Sequence, residues 1–134
     1  MSVFTDKEIE YLAEQRLGRL ATVDAEGRPH VVPVTFRYNA EHDAVDIGGH
    51  DFARSKKYRD VGKTGMAAFV VDDVLPEPWR PRGIEVRGRA EVHSEGGKEI
   101  METFSEEMIR ILPRRIVGWG IDSDAYGPNS RSVD

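Results

Sequence analysis

The chain has 134 residues, 39% hydrophobic and 32% charged, with a net charge of −5 at pH 7 and no cysteine. That length suits one domain, residues 1–134, with a sizeable core. The missing cysteines exclude disulfides, thiolate nucleophiles and cysteine metal sites, and an acidic balance whose cations cluster only near position 56 argues against nucleic-acid binding.

No apolar run approaches the ~18 residues of a membrane span, and the amino terminus has no charged-then-apolar leader pattern. No membrane association and a cytoplasmic location are therefore expected.

Taken in order, Phe4 to Ile9 carries a helix start: Thr5 as N-cap, Glu8 three residues on for a capping box, and Phe4 with Ile9 as a hydrophobic staple. Ile9, Leu12, Ala13 and Leu17 recur at helical spacing, predicting a helix laid on a sheet and stopped by Gly18. Arg19 to Val23 reads as a strand, Asp24 to Gly27 as a turn, and His30 to Tyr38 as the second strand of a hairpin. Pro33 cannot donate to a ladder, so that strand is expected at an edge or with a bulge. A turn over 39–43 leads to a third strand, Ala44 to Gly48.

The stretch from Gly48 to Val61 follows. Two glycines free the backbone, Ser55 opens a helical pattern, and Arg54, Lys56 and Lys57 bring three cations to it. The first-turn N–H groups of a helix lack intrahelical partners and the dipole there favours negative charge, so this is a layout for an anion. A solvated basic helix face capped by Ser55 is the other reading of the same residues. His50 lies beside the loop as a candidate ligand contact. Gly62-Lys63-Thr64 ends like a phosphate-binding P-loop but lacks the upstream glycine, and is read as a turn.

Met66 to Val71 is a continuous apolar run with a buried-strand pattern. Asp72 to Arg82 holds Pro76, Pro78 and Pro81 around Trp79 and is expected to be irregular, a pre-ordered loop against a ligand or a second subunit. Gly83 to Val92 alternates as a long strand with one wet face, and Gly96-Gly97 breaks it before a short helix over 98–104. Met108 to Leu112 reads as a strand stopped by Pro113, Arg114 to Ile121 as another with Trp119 in the core, and the tail from Asp122 as a surface segment. Six or seven short-linked strands with an amino-terminal helix and one or two short helices predict a mainly β fold, a small closed or split antiparallel barrel, which also removes exposed edges.

The four histidines, at 30, 42, 50 and 93, show no ligand spacing, so no metal is expected. No serine sits in a nucleophile elbow.

Four words of sequence then carry a resemblance: Leu17-Gly18-Arg19-Leu20-Ala21-Thr22-Val23, Gly27-Arg28-Pro29-His30-Val31-Val32-Pro33-Val34, Ser55-Lys56-Lys57, and Ile84-Glu85-Val86-Arg87-Gly88-Arg89-Ala90. In order and spacing the chain resembles the FMN-binding split-barrel proteins of the pyridoxamine 5′-phosphate oxidase superfamily, and within it the small actinobacterial enzymes that use the deazaflavin coenzyme F420. The resemblance implies a homodimer with cofactor in clefts between subunits. It implies that Val32, Pro33, Val34 and Thr35 lie along the tricyclic ring and that Ser55 and Lys57, with Arg54, Lys56 and His50 nearby, hold the phosphate. Trp79 and Arg82 would approach from the other subunit. The chain is shorter than pyridoxamine phosphate oxidase proper and lacks its carboxy-terminal substrate-binding arginine and histidine pattern, so pyridoxal phosphate synthesis is not expected. The expected activity is hydride transfer from reduced F420 to a small organic acceptor. The alternatives are an FMN-dependent oxidase or reductase and a non-catalytic flavin- or haem-binding protein.

Overall fold

Strand alternation closes the sheet on itself. The computed structural model describes residues 1–134, with helix α1 (Asp6–Glu14) and strands β1 (Leu17–Val23), β2 (Pro29–Asn39) and β3 (Ala44–Gly48) first. A 3-10 turn (Phe52–Arg54) leads into α2 (Lys56–Thr64), and β4 (Met66–Pro76), β5 (Trp79–His93), α3 (Gly97–Ile100), β6 (Met108–Trp119) and β7 (Asn129–Ser132) follow. All pairings are antiparallel, in the order β3-β2-β1-β4-β5-β6-β7, and β3 also pairs with β6. The result is a closed six-stranded barrel with β7 added beside β6, the mainly β split barrel expected from the sequence. Its interior is filled by Leu20, Val45, Ile47, Phe69, Val71, Ile84, Val86, Ile109, Ile111 and Ile116, all essentially inaccessible to water. No helix is long and apolar enough to cross a membrane.

The closing seam is short, with three residue pairs centred on Asp46 and Arg110. Asp46 is buried, yet it accepts both Nε (2.9 Å) and Nη2 (3.1 Å) of Arg110 and the amide of Asn39 (2.8 Å). A bidentate pair across the seam admits one register only. At the other edge of the molecule Arg131, on β7, donates to the carbonyl of Val3 and pairs with Glu8. Glu8 is the same carboxylate that closes the α1 capping box on Thr5. The carboxy-terminal strand thereby holds down the amino-terminal helix.

Several expectations are corrected. The helix ends at Glu14, not Gly18; Gly18 lies in β1, where a Cβ would stand 2.3 Å from the Phe69 ring. Gly62-Lys63-Thr64 is the last turn of α2, terminated by the left-handed Gly65. Residues 72–82 are not irregular. They extend β4 and β5 into a two-stranded arm, with Asp73 opposite Arg82, Val74 opposite Pro81, Leu75 opposite Arg80 and Pro76 opposite Trp79. The pairing of β4 with β1 stops at Val70 and that of β5 with β6 at Gly83, so the arm has two free edges and a proline's missing N–H deprives no neighbouring strand. Pro113 does not divide two strands either. A register shift between Arg87 and Gly88 carries β6 through it, and Gly88 is needed there, since a Cβ would lie 2.1 Å from the Leu112 carbonyl. The short helix is only Gly97–Ile100, and the tail contains β7. Trp119 is half-buried rather than core, and its ring occupies the space a Gly83 side chain would need.

Candidate functional site

The basic segment sits where the barrel splits. β3 stops at Gly48, opposite Thr35, so β2 from Pro29 to Val34 has a neighbour on one side only. That is the edge position expected for Pro33. The chain then leaves the sheet through Gly49, places Asp51 in the left-handed region (φ 49°), and forms the 3-10 turn that starts α2. His50, Arg54, Ser55, Lys56 and Lys57 therefore follow closely on Gly48, which lies opposite Thr35 where the free edge of β2 begins.

Their states differ. Lys56 is neutralised, with Nζ 3.2 Å from Asp60 and 3.7 Å from Asp24. Asp60 is buried, also accepts from the Thr22 hydroxyl at 2.9 Å, and so ties α2 to β1. Backbone and guanidinium bonds from Arg28 hold the Asp24 carboxyl down at about 2, so it stays charged beside Lys56. Arg54 is exposed and lies 3.7 Å from Asp51. His50 is exposed, edge-on to Phe104. Ser55 acts as helix cap: its hydroxyl donates to the Phe52 carbonyl (2.7 Å) and accepts the Tyr58 N–H (3.3 Å).

Lys57 has no carboxylate partner. Its ammonium lies 5.2 Å from the centroid of the buried Phe52 ring, and desolvation pulls its pKa below the ordinary lysine value. A half-buried cation without a counter-ion, beside the unpartnered N–H groups of Lys56 and Lys57, fits a phosphate-type anion. Asp24, Phe52 and Asp60 are the residues the sequence reading missed here. Only an acid at i+4 from Lys56 was visible as a signal.

On β2 the side chains alternate. Val34 is buried in the core, Val32 is half-buried against it, and Pro33 and Thr35 stand on the outer face. Trp79 and Arg82 are not brought to the basic turn. The Tyr58 hydroxyl reaches the carbonyl of His93 and the Ala90 N–H reaches the carbonyl of Gly65, so α2 lies at the far end of β5 from Trp79. The 15 residues of that strand span on the order of 45 Å of chain. Arg82 is also engaged: it forms a bidentate pair with Asp73 (2.8 and 3.0 Å) and stacks 4.9 Å over Tyr11, whose hydroxyl donates to the same carboxylate at 2.7 Å. Trp79 remains 66% exposed.

A further concavity lies elsewhere again, a groove of about 360 Å³ on the outer face of β1 and β4 lined by Ala21, Val23, Met66, Ala68 and Arg87. Register places Val31, Ala21, Ala68 and Val70 on this face, and continues it along the arm as Val74, Pro76, Trp79 and Pro81. Met66 and Val31 there are 55% and 65% exposed.

The fold accords with what comparison finds. The family model for pyridoxamine 5′-phosphate oxidase matches residues 4–128. The chain belongs to the pyridoxamine 5′-phosphate oxidase family. Among its family relatives, the 5a,11a-dehydrotetracycline/5a,11a-dehydrooxytetracycline reductase of Streptomyces rimosus subsp. rimosus is 47% identical over 132 residues, 97% of this chain and 93% of that protein. HupZ of Group A Streptococcus superposes with a TM-score of 0.71 at 20% identity, covering 87% of this chain and 94% of its own. An FAD-binding protein from Mycobacterium smegmatis gives 0.63 at 18%, covering 88% and 96%. The two structural likenesses show a shared fold alone.

Proposed function

We propose that this family member is an oxidoreductase that takes hydride from reduced F420 and delivers it to a conjugated organic acceptor, with FMN as the alternative carrier. The observation that carries the reading is the 47% identity to a dehydrotetracycline reductase across nearly the whole of both chains. The local chemistry supports it. Lys57 and the first-turn amides of α2 would hold the phosphate, with Arg54 and His50 at its rim. The free edge of β2 would flank the flat ring, Pro33 and Thr35 facing it and Val34 backing it from the core. When bound, the coenzyme supplies the hydride; the chain's own residues bind, orient and exclude water.

The site is proposed to be shared between two copies. One copy holds its arm far from its own Lys57, whereas the apolar positions of the outer face resume on that arm beyond the exposed Arg19–Asp72 ion pair. Covering this face with a second copy would remove Met66, Val31 and Trp79 from water and bring the partner's Trp79 to the cleft. Arg82 contributes at the arm's base through Asp73.

Titration with oxidised F420 and with FMN, followed by ring fluorescence and thermal stability, tests the cofactor. A ligand at ~100 times its dissociation constant adds about 2.7 kcal/mol of stability. Tighter FMN binding, or FMN present on purification, would replace F420 as carrier. Binding of neither would sink the reading.

A further inference from the structure

We infer that Ser105, about 50 residues from the basic turn in sequence, is a positioning residue for the Lys57 anion site. This rests on the reading of Lys57 given above. The Ser105 hydroxyl donates to the Gly49 carbonyl (3.0 Å) and accepts the Phe52 N–H (3.0 Å), and the Ser105 backbone N–H also donates to Gly49 (3.1 Å). These three bonds bracket Asp51, a non-glycine residue held at φ 49°. A left-handed residue persists where its surroundings over-determine it, and here Ser105 grips the chain on both sides of it.

The grip is transmitted to the site. The Phe52 carbonyl accepts both the Ser55 hydroxyl (2.7 Å) and the Ser55 N–H (3.0 Å), and the Ser55 oxygen accepts the Tyr58 N–H. One chain of hydrogen bonds thus runs from Ser105 through Phe52 to the first turn of α2. The Phe52 ring is also the surface on which the Lys57 ammonium rests. Moving Phe52 moves both the amides and the cation. The segment bearing Ser105 is itself anchored: Phe104 is buried and packs against Gly48, where a Cβ would lie 3.0 Å from its ring, and the Lys98 ammonium donates to the Phe104 carbonyl at 2.9 Å.

The test uses Ser105→Ala, Ser105→Thr, Lys57→Ala and the Ser105→Ala/Lys57→Ala double variant, each titrated with oxidised F420 and, in parallel, FMN. Losing the staple leaves the competent turn populated for only a fraction of the time and raises the apparent dissociation constant by the inverse of that fraction. The expected loss for Ser105→Ala is about 10-fold, restored by threonine, which keeps the hydroxyl. Once Lys57 is already alanine the further loss should be smaller, because only the amides are then left to misplace, a non-additivity that general destabilisation would not produce. Amide exchange in the unliganded Ser105→Ala protein should quicken at Phe52 and remain unchanged at Ile47 and Ile84. Parent-like binding by Ser105→Ala, or full additivity in the double variant, overturns the positioning role while leaving the anion site standing. Parent-like binding by Lys57→Ala overturns the anion site, and this inference with it.

Discussion

Two adjacent lysines have different tasks because of what surrounds them. Lys56 neutralises Asp60 and Asp24, whereas Lys57 rests on an aromatic ring without an acid. Lys57→Ala should weaken cofactor binding about 10-fold to 150-fold, the value of one charge-assisted hydrogen bond of roughly 1.5–3 kcal/mol. The loss should shrink at moderate salt. Lys56→Ala should leave affinity nearly unchanged and lower stability by up to about 1 kcal/mol, the scale of a partly exposed pair. Titration of both variants at two salt concentrations, with urea midpoints alongside, checks the contrast; equal effects would return the segment to a solvated basic face.

The arm is an element whose order depends on a latch at its base. Asp73 joins Arg82 and Tyr11, and these bonds, the guanidinium first, hold the Asp73 carboxyl below its ordinary range. A carboxylate with a depressed folded-state pKa contributes stability that is complete above its unfolded value of about 3.9 and is lost as pH falls through the folded value. Denaturant midpoints of the parent should therefore fall more steeply below about pH 4 than those of Asp73→Asn, which has no charge there to lose. At neutral pH Asp73→Asn should cost about 1 kcal/mol, since the pair is partly exposed. The Tyr11 hydroxyl is pushed well above its ordinary range by burial and by its bond to Asp73, so it stays a donor throughout.

At the scale of the molecule, the proposed sharing of the site by two copies across the outer apolar face predicts a doubled mass. Light scattering at micromolar protein should give twice the chain mass of 15.1 kDa. Met66→Glu on that face should give a folded monomer with much weaker cofactor binding; a monomer that binds like the parent would show that one copy suffices. The two chain ends also depend on each other. Arg131→Ala would leave the buried Glu8 carboxylate without its cation and should cost roughly 3 kcal/mol. Thermal unfolding compared with Arg131→Lys, which keeps the charge, separates this from loss of packing.

The sequence by itself determined whatever depends on neighbours within a few residues. Thr5 and Glu8 announce the capped helix, the alternation over Ala44–Gly48 and Gly83–Val92 announces strands, and Ser55 with its lysines announces a helix start bearing cations. Tertiary structure alone decided which charged groups were left free. Arg82 is claimed by Asp73, nine residues away, and by Tyr11, 71 residues away, and Lys56 by an aspartate on a separate hairpin turn. Pro113 could remain within a strand only because Gly88, on the neighbouring strand, has no side chain to meet the Leu112 carbonyl. Periodicity and capping act along the chain, whereas ion pairing and steric fit act across a closed barrel. They are set only when closure brings distant strands to within a few ångströms.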